Sequence, residues 1–118
     1  MVRFLQGIAL SAGMMLNSGA AFTANDVMSA NIIMPGCRYL LQPETSPSDK
    51  MVYLIAAKCN GLVEGIAFAA VCTPDGAVTI DQTIRVVVKY IDGRPERQHE
   101  DFKALALEAL RAAWPCKK

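Results

Sequence analysis

Four cysteines constrain the fold of this chain more than any other feature of its sequence. They are Cys37, Cys59, Cys72 and Cys116, separated by 22, 13 and 44 positions. Structural zinc sites bring cysteines in close pairs such as C-x-x-C, and no two of these cysteines are close neighbours. In an oxidising compartment the default state of such a set is two disulfides, for which three pairings are possible.

The start of the chain predicts export to such a compartment. Arg3 gives a basic beginning, an apolar stretch follows over 4–16, and small residues occupy 18–21. These are the three parts of a cleaved secretory signal peptide. The alternative is a retained membrane anchor, but the apolar run contains polar residues and is shorter than the roughly 20 residues that a spanning helix needs. We therefore expect a signal peptide over 1–21 and one exported domain over 22–118, without stable membrane insertion.

The mature chain is close to electrically neutral. The whole chain carries 12 basic and 11 acidic residues, and removal of Arg3 with the signal peptide makes the two numbers equal. A nucleic acid or an anionic membrane would require a basic excess, so we expect neither as a partner. A domain of this size buries only a modest core, for which small exported domains compensate with disulfides.

Hydrophobic spacing predicts an all-α bundle of about four helices. The first helix would be capped by Thr23 or Asn25 and interrupted at Pro35-Gly36. The second would begin at Pro47, after the cap residue Ser46, and end at Ala70. Its apolar residues lie nearly all round the helix, which is typical of a buried central helix.

Two glycines in the second helix predict a close helix contact. Gly61 and Gly65 are four residues apart and therefore lie on one face. Together they cost roughly 2 kcal/mol of helix propensity. We expect the close approach of another helix to compensate. Glu64 between them is interpreted as a rim residue that faces solvent or pairs with a cation.

The third and fourth helices have clear start and stop signals. Thr79 and Gln82 form a capping box at the start of the third helix, and Gly93 ends it. Acidic residues at 100–101 begin the fourth helix, and Pro115 ends it. The apolar faces of the two helices contain Ile80, Ile84, Val87, Val88 and Ile91, and Phe102, Leu105, Ala106, Ala109, Leu110 and Ala113.

No catalytic constellation is evident. His99 is the single histidine, and neither a nucleophile nor a metal-ligand spacing accompanies it. A capping or turn-fixing role is therefore expected for it. The chain also lacks the G-x-S-x-G, H-E-x-x-H and glycine-rich phosphate-loop motifs. We predict no enzymatic activity, no cofactor and no metal.

Several short motifs occur together between Cys59 and Cys116. They are C-x-G-x-x-x-G over 59–65, C-x-P over 72–74, Lys89-Tyr90, Pro95-Glu96 with His99, and the closing Trp114-Pro115-Cys116. In this combination the segment resembles the Rap/Tai family, which comprises immunity proteins against the peptidoglycan amidases of type VI secretion systems. Two positions depart from the pattern: Arg94 stands where the family would have a histidine, and 66–69 lack an expected acidic residue.

The resemblance implies a small periplasmic helical protein, often a homodimer, that binds an amidase toxin and blocks its active-site cleft. Within this framework we predict the disulfides Cys37–Cys59 and Cys72–Cys116. An envelope structural or stress-related protein that shares only the fold is the alternative function. The turns 73–76 and 92–99 project from the bundle and carry charge, although the same residues would also suit ordinary turn and capping roles. They supply the candidate contact residues, which are Asp75, Asp92, Arg94, Glu96, Arg97 and His99.

Overall fold

Four helices follow one another in the computed structural model, which describes residues 28–42, 49–74 and 76–117. The predicted signal peptide, the predicted caps at 23, 25 and 46, and the contact candidate Asp75 lie outside these residues. The described ranges contain no strand, and the prediction of an all-α bundle is confirmed. The elements are α1 (Ala30–Leu41), α2 (Met51–Ala70), α3 (Ile80–Asp92), a short 3₁₀ helix (Pro95–Arg97) and α4 (Phe102–Ala113).

Both predicted disulfides are present. Cys37–Cys59 joins the middle of α1 to the middle of α2, and both of its residues are fully buried. Cys72–Cys116 joins the segment after α2 to the end of the chain, and both of its residues are exposed. The first disulfide therefore belongs to the core, whereas the second links two segments at the surface.

The core lies where the four helices meet. α1 contacts the other three helices, and α2 contacts both α3 and α4. Phe102 is the largest fully buried side chain. The predicted apolar faces of α3 and α4 supply most of the other buried apolar residues of the core. The largest buried side chains around Phe102 are Ile33, Met34, Ile91, Leu105, Leu110, Val63 and Val87.

The predicted interruption of the first helix at Pro35 and Gly36 is wrong, because α1 continues through both residues. Pro35 is exposed, whereas Gly36 is buried where α1 crosses α2. A Cβ at position 36 would lie 2.4 Å from the backbone nitrogen of Ala56 and 2.4 Å from the carbonyl carbon of Ile55. An internal proline costs a helix about 3 kcal/mol. The burial of the apolar face of α1 and its disulfide to α2 offset that cost.

α2 is not the buried central helix that its composition predicts. In this helix Ala56, Cys59 and Val63 are buried. By contrast, Leu54 is 65% exposed and Phe68 is 93% exposed. The three neighbouring helices cover one side of α2, and its outer side is apolar without being covered by the described chain.

The glycine pair of α2 lies on this outer side. An added Cβ at Gly61 or Gly65 would meet no described atom within 4 Å. The expected close helix contact at these glycines is therefore absent within the described chain, and Gly36 makes the close contact between α1 and α2 instead. Glu64 is exposed, as expected for a rim residue.

α2 also satisfies the length and hydropathy criteria for a membrane-spanning helix. It has 20 residues and a mean hydropathy of 1.4 in its most apolar window, of which 17% is buried. The mostly buried core helices of packed domains satisfy the same criteria, but α2 is largely uncovered by the described chain. In this fold the disulfide from Cys59 and contacts with three helices fix α2 within the bundle.

Helix caps set the ends of α3 and α4. The Thr79 hydroxyl accepts a hydrogen bond from the backbone N–H of Gln82, which confirms the predicted cap of α3, and Gly93 follows its last residue. Asp101 caps α4 by accepting from the N–H groups of Lys103 and Ala104, so it precedes the first turn in which it was expected.

Candidate functional site

The connection between α3 and α4, residues 93–101, is held by several hydrogen bonds. We call this segment the α3–α4 turn. The N–H of Arg94 donates to the carbonyl of Ile91, and the N–H of Arg97 donates to the carbonyl of Arg94, each at 2.9 Å. The N–H of Glu100 then donates to the carbonyl of Arg97 at 2.9 Å. The Gln98 side chain also donates to the carbonyl of Ile91. The turn is therefore fixed along its own length.

The first turn of α1 holds the other side of the same segment. Ser29 makes no side-chain cap for α1. Instead, the N–H of Ala30 donates to the carbonyl of Glu100 at 2.9 Å, and the N–H of Asn31 donates to that of Gln98 at 2.8 Å. The N-terminal donors of a helix usually need a capping side chain or water. Here the α3–α4 turn provides their acceptors.

An ionic cluster centred on Arg97 fixes the turn against α4. The guanidinium of Arg97 donates two hydrogen bonds of 2.8 Å to the carboxylate of Glu100. It donates two more, of 2.8 and 2.9 Å, to Glu108 on α4. The hydroxyl of Tyr90 also donates to Glu108 at 2.9 Å. Bidentate arginine–carboxylate pairs are geometrically specific, so this cluster sets both the position and the orientation of the turn.

The cluster also shifts the titration of its members. Hydrogen bonds from Arg97 are the main cause that lowers the pKa of Glu100 below its ordinary value of 4.5. Arg97, followed by Tyr90, lowers the pKa of Glu108 in the same way. The same bonds to Glu100 and Glu108 raise the pKa of Arg97. All three groups are therefore charged at neutral pH.

Two further candidate contact residues are engaged within the bundle. The guanidinium carbon of Arg94 lies 3.6 Å from the ring centroid of Tyr90, and its Nη1 donates to the Tyr90 carbonyl. Asp92 forms an ion pair with Arg38 of α1. Like Arg97, these side chains already have partners, which favours a structural role for them.

Glu96 and His99 differ from the other candidates. Both are exposed at the outside of the α3–α4 turn. Neither side chain forms a hydrogen bond or an ion pair with another residue of the described ranges. The capping or turn-fixing role predicted for His99 is therefore wrong for the described chain, in which Asp101 is the cap of α4. The effect of His99 on its surroundings is a minor electrostatic one, which helps to lower the pKa of Glu100. Of the predicted contact residues that the structure describes, these two are thus available to a partner.

A shallow depression lies beside the other predicted contact turn, residues 73–76. It has a volume of about 220 Å³, and Glu64, Phe68, Thr73, Val78 and Ile80 are among the residues that line it. Its walls come from the end of α2, the linking segment and the start of α3. The depression is open to solvent, and Glu64, its one charged lining residue, is exposed.

The described residues contain no group of three histidine, cysteine or acidic side chains that could hold a metal ion. All four cysteines are in disulfides. The chemistry that this surface offers is therefore recognition through shape, charge and hydrogen bonding.

A family model for Rap1a immunity proteins matches residues 23–116. The chain belongs to this family. The predicted resemblance is confirmed, and the match also covers residues 23–58, which precede the motifs that indicated it. No curated protein and no solved structure matches the chain.

Membership of the Rap1a family gives the chain a broad function, namely immunity through the binding of a protein toxin. Families of this kind are generally non-catalytic. The two disulfides and the family are consistent with an exported protein.

The sequence did not reveal the partners of Arg97 and Asp92. Glu108 and Tyr90 lie 11 and 7 positions from Arg97, and Arg38 lies 54 from Asp92. Only helix packing brings these residues together. The single available signal is that Glu108 interrupts a run of apolar and small residues on α4.

Proposed function

We propose that this protein is a periplasmic immunity protein that inhibits a type VI secreted peptidoglycan amidase by inserting the α3–α4 turn into its active-site cleft. The observation that carries the proposal is the fixed shape of this turn. It is bonded internally, to α1 and to α4, while Glu96 and His99 remain exposed at its outside.

A rigid turn suits an inhibitor because little conformational entropy is lost on binding. Exported hydrolases expose polar groups in their clefts, and Glu96 and His99 offer one acceptor group and one imidazole to pair with such groups. Arg97 and Arg94 would act indirectly, by holding the turn in its shape.

The test pairs the oxidised mature protein with an amidase toxin encoded in the same genome. We expect a stable complex and loss of peptidoglycan cleavage. The double substitution Glu96→Ala/His99→Ala should raise the Kd at least tenfold, as expected for central interface residues. The double variant Lys89→Ala/Arg111→Ala removes two exposed charges from α3 and α4 and is the matched control.

Unchanged inhibition by the Glu96→Ala/His99→Ala variant would contradict the assignment of the turn. Failure of the wild-type protein to bind any amidase of its genome at micromolar concentration would contradict the immunity proposal itself. A structural role in the envelope would then be the better explanation of the fold.

A further inference from the structure

An open apolar groove of about 440 Å³ lies between α2 and α4; we call it the α2–α4 groove. Its apolar wall is formed by Ile66, Ala69, Ala70, Ala104 and Leu107. Two charged residues, Asp101 and Lys103, line it at the start of α4 and form an ion pair with each other. Ala69 and Ala104 are exposed, so the described chain leaves the groove uncovered.

Residues 28 and 29 lie at one end of this groove. Ser29 forms an antiparallel bridge with Asp101. In such a bridge the residues before Ser29 lie beside those after Asp101, so the chain before position 29 leads towards Lys103. The sulfur of Met28 also contacts the ammonium of Lys58 on α2 at 3.7 Å. The chain that precedes residue 28 is therefore attached where α2 and the start of α4 meet.

We propose that the segment 22–27, which lies outside the described residues, docks in the α2–α4 groove with Phe22 and Val27 against its apolar wall. Six extended residues span up to about 20 Å. Lys58 and Ala69 are eleven positions apart and within about 20° of each other around α2, so about 17 Å of helix separates them. The segment is therefore long enough to follow the groove from one end to the other.

The side chains of the groove suit this occupant. Ala69 and Ala104 are small, so they leave space between the two helices for a large apolar side chain. Phe22 is the one aromatic residue of the segment, and its ring gains most from burial in an apolar recess. Docking would cover apolar surface of both helices without a second molecule.

The charges at the entrance of the groove are complementary to the segment. Lys58 is exposed and forms no ion pair with a residue of the described ranges. Its contact with the sulfur of Met28 is weak and does not neutralise its charge. In extended backbone, residues 26 and 28 project to the same side, so Asp26 can reach Lys58.

A docked segment would also support the α3–α4 turn. The N–H groups of Ala30 and Asn31 donate to the carbonyls of Glu100 and Gln98 in that turn. Docking of residues 22–27 fixes the chain immediately before these two donors. The segment is thus a positioning element for the turn; its effect on toxin binding, unlike the docking itself, rests on the proposed function.

The first test is an NMR measurement of nuclear Overhauser effects in the oxidised mature protein. We expect contacts between the ring protons of Phe22 and the methyl groups of Ala69 and Ala104. Ala104→Gln fills the groove and should abolish the Phe22–Ala69 contact. Helix content should be unchanged, because Ala104 is exposed in the described chain and glutamine favours helix. Ala112→Gln, at another exposed position of α4, is the matched control and should retain the contact.

The second test measures hydrogen exchange of the Ala30 and Asn31 amides, which reports local opening of the start of α1. Asp26→Lys and Lys58→Glu should each speed this exchange at least about fivefold, because each places like charges opposite one another. The double variant Asp26→Lys/Lys58→Glu should restore the rates to within about twofold. Lys89→Glu, on the exposed side of α3, is the matched control and should have no effect.

Absence of contacts between Phe22 and the groove in the wild-type protein would overturn the proposal. Contacts that prove intermolecular in a mixture of labelled and unlabelled protein would overturn it too, and would assign the groove to a second copy. Single charge reversals without effect, or a double variant that fails to restore slow exchange, would refute the pairing of Asp26 with Lys58 on which the docking is argued. No toxin enters either test, so their failure is distinct from failure of the proposed function.

Discussion

Arg97 is the residue through which the α3–α4 turn is joined to the rest of the bundle. Arg97→Ala should lower the Tm by a few degrees at pH 7, because it removes hydrogen bonds to both Glu100 and Glu108. Arg97→Lys should be intermediate, since lysine keeps the charge and loses the bidentate geometry. Arg85→Ala breaks only the exposed pair with Asp81 and should change the Tm little. Thermal unfolding followed by circular dichroism measures all three effects.

The pH dependence of this effect has a definite sign. The pKa values of Glu100 and Glu108 are lowered in the folded state, so their contribution to stability is complete above the ordinary carboxyl value of 4.5. It decreases as the pH falls below that value and is lost once both groups are protonated in the folded protein. The Tm difference between wild type and Arg97→Ala should therefore be largest at pH 6 to 7 and should shrink towards pH 2. A difference that stays constant over this range would contradict the role of the two carboxylates.

The sequence reveals which residues are charged and near a turn, but not which of them are free. Asp92, Arg94, Arg97 and His99 are equivalent candidates in the sequence, since all lie in one polar stretch. In the fold the first three have hydrogen-bond or ion-pair partners on α1, α3 or α4, whereas His99 forms neither kind of bond within the described ranges. Those partners are set by packing between helices, which local sequence does not encode.

Glycines that look alike in the sequence differ in the fold because helix packing, rather than helix propensity, decides their role. Gly36→Ala should destabilise the protein by about 3 kcal/mol, because the new Cβ would overlap backbone atoms of Ile55 and Ala56 that cannot move independently. Gly65→Ala should instead stabilise the protein by up to about 1 kcal/mol, since the new Cβ meets no described atom and alanine has the higher helix propensity. Urea unfolding of the two variants gives the comparison. Equal effects at the two positions would show that propensity dominates.

The N-terminal cap of α3 also contributes to the stability of the fold. Thr79→Ala should lower the free energy of unfolding by about 1 kcal/mol, because the N–H of Gln82 loses its acceptor. Thr79→Ser retains a hydroxyl at the same position and should cost much less. Urea unfolding measures the free energy of unfolding of both variants. Equal losses of stability would indicate that the methyl group of Thr79, rather than its hydroxyl, stabilises the start of the helix.

The existence of the helices and most of their ends can be predicted from the sequence. The continuity of α1 and the burial of the outer face of α2 cannot. The caps at Thr79 and Gly93 are local signals and predict α3 well. The continuation of α1 through Pro35 depends on packing against α2, which is remote in sequence. The apolar outer face of α2 leads to the prediction of a buried helix, because composition does not distinguish a face that the same chain covers from one that it leaves open.

At the scale of the whole molecule, two covalent links compensate for a small core. By the chain-entropy estimate, loops of 22 and 44 residues contribute about 3 and 4 kcal/mol of stability. Cys37–Cys59 secures α1 against α2, and each of these two helices contacts the three others. Cys72–Cys116 secures the chain end against the segment between α2 and α3, where the N–H of Cys72 also donates to the carbonyl of Trp114.

The different burial of these disulfides predicts that they are reduced in a fixed order. A thiol reductant must reach the sulfur atoms, so the exposed Cys72–Cys116 bond should be reduced first by millimolar dithiothreitol. Cys37–Cys59 is fully buried and should persist until the bundle opens. Alkylation at successive times, followed by peptide mass spectrometry, should detect a folded intermediate labelled only at Cys72 and Cys116. The variant Cys72→Ser/Cys116→Ser should match this intermediate in helix content and should unfold at a lower temperature than the wild type. Simultaneous labelling of all four cysteines would show that the bundle opens as one unit before either bond is attacked, and that the link at the chain end is as integral to the fold as the one in the core.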